Sequence, residues 1–183
     1  VWATDHYEQL YRFSGELRLE NRTIALRGTG LRDHSRGPRG GDKLKLFGGH
    51  VLIGTLYGSG KAFGLQRMYS PEGKTTLDTG YVVVDRQFHH AEVLEVPMLD
   101  EALRITGEPL RVRLRSALGE HLIEGELMKA SLTSAYMPGM AAGADLLMPN
   151  PFIFSQGHAR WTWDGETAYG LTERSRYFPE RCA

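Results

Sequence analysis

The sequence predicts an all-β protein, an antiparallel up-and-down β-barrel of about eight to ten strands, and three observations predict it. Apolar and β-branched runs alternate with short turn signals along almost the whole chain. Glycine supplies 22 of the 183 residues, about 12% against a usual ~7%, and recurs between those runs. Only Met98–Ile105 has the pattern of a turn or two of helix, which disfavours a helical bundle. No linker interrupts the series, so residues 1–183 read as one domain.

In chain order, Glu20-Asn21-Arg22 separates Phe13–Leu19 from Thr23–Leu26, the first hairpin. Leu44 and Leu46 start on one parity, and Phe47, Val51 and Ile53 take the other after Gly48-Gly49, which predicts a glycine bulge. Gly58-Ser59-Gly60 turns Val51–Tyr57 into Lys61–Tyr69, and Pro71-Glu72-Gly73 and Leu118-Gly119-Glu120 mark further reversals. Pro109–Ser116 alternates cleanly, with Leu110, Val112 and Leu114 on one face and Arg111, Arg113 and Arg115 on the other. Asp164-Gly165, between Trp161-Thr162-Trp163 and Thr167–Thr172, accepts the positive φ angles of a type I′ turn. The segment Ala135–Phe154 is too long for a hairpin. Its Met137, Met140 and Met148 fit either a lid over the barrel mouth or a plug in one end.

Charge and composition exclude several functions. With 22 basic against 22 acidic residues and a pI near 7.2, the chain has no field that would gather nucleic acid. The single cysteine, Cys182, builds neither a disulfide framework nor a CxxC pair, which predicts a reducing, cytoplasmic setting. Four residues, Pro138, Asp145, Pro149 and Pro151, interrupt the most apolar stretch, so no membrane span is expected. Gly58-Ser59-Gly60-Lys61 lacks phosphate-loop spacing. His89 and His90 point to opposite faces of a strand, and His50 and His121 have no spacing partner, so no metal and no cofactor are expected. Arg27, Arg32, Arg36, Arg39, Lys43 and Lys45 cluster, but Asp33 and Asp42 are interleaved, as on a solvated rim.

The stretch with most chemistry is Gly28–Arg39, where a strand enters a loop rich in Gly and Pro. Asp33 beside His34 offers an acid and a base, with Arg32, Ser35 and Arg39 as ligand contacts. Continuing the parity of Ile24 and Leu26 points Arg32 and His34 inward and Asp33 outward, whereas a bulge at Gly28 or Gly30 reverses this. A structural alternative is an Asp33–Arg39 ion pair that fixes the loop.

Two motifs, HYEQ at His6–Gln9 and GxGxRDHSxGPR at Gly28–Arg39, together with the closing segment Gly157–Tyr177, resemble the lipocalin-like family of carotenoid hydratases, AttH-like proteins and barrel Diels-Alderases. Arg36 stands where that family usually has tryptophan, and Gly40-Gly41 where it has an aromatic residue. The resemblance implies a lipocalin-like barrel that binds an apolar small molecule, such as a terpenoid, steroid, polyketide or aromatic compound, in a cavity inside the barrel. It also implies the second of two tandem barrels, so that a pocket between barrels is either lost with its partner or rebuilt in a homodimer.

On the last strand Tyr169, Leu171, Glu173, Ser175 and Tyr177 share one parity; if Tyr169 and Leu171 face the core, so does Glu173, as a general acid or as a partner of Arg32 or Arg39. Tyr57, Tyr81, Trp161, Trp163 and Tyr169 are expected to wall the pocket, with Met137 and Met140 above it. The function expected is acid/base hydration, dehydration, isomerisation or cyclisation by Asp33, His34 and Glu173. The alternative is a non-catalytic binding protein of lipocalin type.

Overall fold

Alternation of apolar and charged residues in Pro109–Ser116 has the physical outcome it dictates: Leu110, Val112 and Leu114 are buried, while Arg111, Arg113 and Arg115 stay in water and pair with glutamates of neighbouring strands. The same rule builds the whole computed structural model, which describes residues 5–37, 47–136, 141–143 and 152–178. Its strands are β1 (Asp5–Leu19), β2 (Arg22–Arg36), β3 (Gly49–Leu56), β4 (Ala62–Tyr69), β5 (Thr75–Val84), β6 (Gln87–Glu95), β7 (Pro109–Ser116), β8 (Gly119–Tyr136), β9 (Ala141–Gly143), β10 (Phe152–Trp163) and β11 (Glu166–Tyr177). Strands β3 to β8, then β10 and β11, form an antiparallel ring. β10 pairs with both β8 and β11, and β11 closes onto β3. The result is a closed eight-stranded lipocalin-like barrel.

Turn chemistry agrees with the expected hairpins. Asp164 and Gly165 both have positive φ, 48° and 77°, as a type I′ turn requires. Asp85 and Arg86, at φ 50° and 63°, make the same kind of turn between β5 and β6 with no glycine to announce it. Met98–Ile105 is a correction: it holds turns and bends rather than helix, because Leu99 and Leu103 are drawn into a small cluster with Ile153 and Phe178. Leu44 and Leu46 lie outside the described residues, and β3 begins at Gly49 in regular register with Tyr69 of β4.

The barrel interior is filled by rings and branched aliphatics. Phe63 meets Trp161 edge-on at 5.6 Å, Tyr57 meets Trp163 at 6.0 Å, and Val51, Ile53, Val82, Val112, Ile123 and Leu127 pack around them. Gly125 seats the Trp161 indole: a Cβ there would lie 2.5 Å from Trp161 Cε3. Among the described residues one ion pair sits inside. Arg174 donates to both carboxylate oxygens of Glu108, at 2.7 and 2.6 Å, with the guanidinium fully buried.

β1 and β2 stand outside this ring as a two-stranded ribbon, paired without a break from Asp5↔Arg36 to Leu19↔Arg22. No bulge forms at Gly28 or Gly30; those glycines instead lie under the rings of Phe13 and Tyr11, their cross-strand partners.

Candidate functional site

The ribbon's base lies on the outer face of the barrel. Leu10 and Leu31 pack over Gly54, where a Cβ would approach Leu31 to 2.7 Å. Arg12 donates to the Tyr57 carbonyl at 2.8 Å and Thr29 to the Tyr169 carbonyl at 3.2 Å. Strand periodicity then sets which side chains meet the barrel: His6, Glu8, Leu10 and Arg12 from β1, and Ser35, Asp33, Leu31 and Thr29, their register partners, from β2. The HYEQ and RDHS motifs are therefore two halves of one cross-strand arrangement.

Below them, register aligns Gln156, Glu173, Leu52, Gln66 and Thr79 in one row across five strands. Between this surface and β1 opens a groove of about 210 Å³, lined by His6, Tyr7, Glu8, Leu65, Gln66, Thr79 and Tyr81.

Two histidines organise the polar groups. His6 Nε2 lies 3.2 Å from Glu8 Oε1, and Nδ1 lies 2.9 Å from Ser35 Oγ and 3.6 Å from Asp33 Oδ1. The imidazole is thus held between two carboxyl groups. Burial pushes the Glu8 carboxyl above its ordinary range, against the pull of the His6 hydrogen bond. A proton on the Glu8–His6 pair has two places to sit: neutral Glu8 donating to Nε2, or imidazolium donating to the carboxylate.

His50, buried one layer below, lies 2.7 Å from Glu173 Oε1 through Nε2 and 2.7 Å from Ser175 Oγ through Nδ1. Ser175 Oγ accepts the backbone N–H of His50 at 3.1 Å, so its own proton is free for Nδ1, which leaves Nε2–H to donate to Glu173. Gln156 donates to the other Glu173 oxygen at 2.6 Å. Burial raises the Glu173 pKa, but the His50 contact and the Gln156 bond outweigh it and leave the carboxyl below its ordinary range. Tyr81, half-buried and facing the Glu8 charge, is pushed up to about 12 and keeps its phenolic proton.

The expected site residues distribute unevenly over this geometry. Asp33, Ser35 and Tyr81 belong to the groove or its rim. His34 does share the parity of Ile24 and Leu26, but that face is exposed; His34 stacks on Tyr7 at 5.0 Å and points away from Asp33. Adjacent strand residues cannot converge on one ligand from opposite faces, which corrects the Asp33–His34 pair. Arg32 lies over the Tyr7 ring on that same outer face.

Glu173 is also relocated. The barrel interior takes Ala168, Thr172 and Arg174, so Tyr169 is 58% exposed and Glu173 faces outward, beneath the ribbon. Tyr57, Trp161 and Trp163, expected to wall a cavity inside the barrel, pack on other core rings there instead, and the groove lies on the barrel's outer face. Arg39, Met137 and Met140 lie outside the described residues.

Sequence reasoning missed His6, Glu8, His50 and Ser175 as functional groups. Only the register joins His6 to Ser35 and His50 to Ser175, 29 and 125 positions apart. Among the described residues no group of three His, Cys, Asp or Glu side chains is arranged to hold a metal ion.

Comparison with known proteins adds the fold context. A family described as a domain of unknown function (DUF7064) matches residues 1–177. The crystal structure of a candidate AttH (NE1406) from Nitrosomonas europaea aligns with a TM-score of 0.56 at 11% identity, covering 92% of this chain and 50% of that one. The chain spans about half the length of that protein, and a likeness at this identity speaks for the shared AttH-like barrel fold alone. No curated protein matches the sequence.

Proposed function

The chain belongs to the DUF7064 family of domains of unknown function, and from that premise we propose that it is an acid–base enzyme acting with its own side chains on a small, largely apolar molecule held in the groove between β1 and β4–β5. The observation that carries this reading is His6 between Glu8 and Asp33 at the edge of an open groove. A carboxyl raised by burial holds its proton closer to neutral pH than a solvated one and is a stronger base once it loses it. Glu8 is therefore the proton donor and acceptor, His6 relays the proton and restores Glu8, and Asp33 with Ser35 holds the imidazole. The Tyr81 phenol, protonated throughout the working range, donates to a substrate oxygen. Tyr81 supplies a flat apolar wall, which suits an unsaturated ring or polyene better than a sugar or nucleotide. Hydration, dehydration, isomerisation and cyclisation all need one proton delivered and one removed, in keeping with the hydratase and cyclase chemistry of the resembling lipocalin-like proteins.

The test uses 5-nitrobenzisoxazole, an apolar ring that opens when one base removes one proton. The wild-type chain should accelerate the opening, and Glu8→Gln should cost roughly 10²–10⁴ in rate. Equal rates for the two proteins would refute the assignment. Saturable binding that perturbs Tyr81 without any turnover would favour the binding-protein reading instead.

A further inference from the structure

We propose that the outward face of the β1–β2 ribbon is the contact surface for a second copy of this chain, the two ribbons stacking face to face. Contacts between ribbon and barrel end near Arg12 and Thr29, and from residue 13 to residue 27 every position is exposed. A two-stranded hairpin standing alone in water is marginal at best, so this length of ribbon needs a cover.

Its two faces differ in kind. The face that continues from the barrel side carries Ser14, Glu16, Arg18, Thr23 and Arg27, with Glu16 and Arg18 paired at 3.4 Å. The opposite face carries Tyr7, Tyr11, Phe13, Leu17, Leu19, Ile24 and Leu26, each between 37% and 51% exposed, with Arg22 at the tip and Arg32 and His34 against Tyr7 at the base. An alternating pattern of this kind places one face against an apolar neighbour.

The area favours a second copy. Seven such side chains leave roughly 600 Å² of apolar surface in water, at the upper end of what a monomer shows. Doubled across a twofold axis, this is about 1,200 Å², where specific interfaces begin. An amphipathic ribbon is also self-complementary: two apolar faces stack ~10 Å apart as the layers of a small sandwich, and both polar faces stay where they are. A twofold axis at the ribbon midpoint, Arg12–Thr29, lays the aliphatic tip on the partner's tyrosine-bearing base. It also brings Arg22 of each copy towards the partner's Asp5–Arg36 end.

Sedimentation velocity from about 1 to 100 µM tests this. Wild type should be a dimer. Leu17→Glu and Leu26→Glu, both at exposed positions, should keep the barrel's melting temperature and weaken association by at least ~30-fold. Leu122→Glu, on an exposed apolar side chain of β8, a strand that pairs with β7 and β10, should dimerise as wild type does. A monomeric wild type at the highest concentration overturns the proposal. So do ribbon variants that associate as tightly as wild type, or a Leu122→Glu variant that alone falls apart.

Discussion

Glu108→Gln should unfold this barrel more readily than any surface change, and its cost can be worked from the geometry. The Arg174 side chain has no exposed surface, Glu108 side-chain exposure is 7%, and both guanidinium Nη atoms donate to the carboxylate, at 2.7 and 2.6 Å. Glutamine keeps one acceptor but removes the charge that compensates the cation, leaving a buried guanidinium next to Val51 and Ser155 on the neighbouring strands. Losing one member of a buried ion pair costs about 3–5 kcal/mol. At ~2–4 °C per kcal/mol for a domain of this size, the melting temperature should fall by roughly 6–20 °C. The companion variant Arg174→Met with Glu108→Leu removes both charges, and such replacements are often neutral or stabilising by ~1–4 kcal/mol. Urea and thermal unfolding of the three proteins decide it: a loss below about 1 kcal/mol for Glu108→Gln would falsify the uncompensated-charge account.

Further expectations concern the groove and the core. Glu173 lies below its ordinary range in the fold, so it contributes stability present above its unfolded pKa and lost as pH falls through the folded value; Glu173→Gln should destabilise at pH 7, and the gap should close in acid, by melting temperature against pH. Glu8 has the opposite sign: the folded chain holds its proton more tightly, stability is lost as pH rises through the raised value, and Glu8→Gln should melt higher than wild type at pH 7 but not in acid. Because the Glu8 charge, after burial, holds the Tyr81 pKa up to about 12, Glu8→Gln should also let Tyr81 titrate earlier, read by NMR of labelled tyrosine. Gly125→Ala puts a methyl 2.5 Å from the Trp161 ring in a packed core and should cost ~1–3 kcal/mol with a change in tryptophan emission; an unaltered protein would show that the indole has room to move.

Local chemistry determined much of this protein from sequence alone. Period-two alternation in Pro109–Ser116, positive-φ dipeptides such as Asp164-Gly165, and a glycine-punctuated series of short runs specify antiparallel strands and where they reverse, because each signal depends on residues within a few positions. Even the shared parity of Ile24, Leu26, Arg32 and His34 was legible, since a strand has only two faces. What sequence could not decide was which face becomes the inside. That depends on whether a strand enters the ring or stays out of it, and β1–β2 stays out, which turns the apolar face of the ribbon outward and brings Asp33 rather than His34 to the barrel. The same choice puts Glu173 outside and Arg174 inside, because closure of β11 onto β3 sets the pleat for both strands together. His6 with Ser35 and His50 with Ser175 were invisible for a related reason: cross-strand register makes neighbours of residues whose separation in the chain carries no spacing signal.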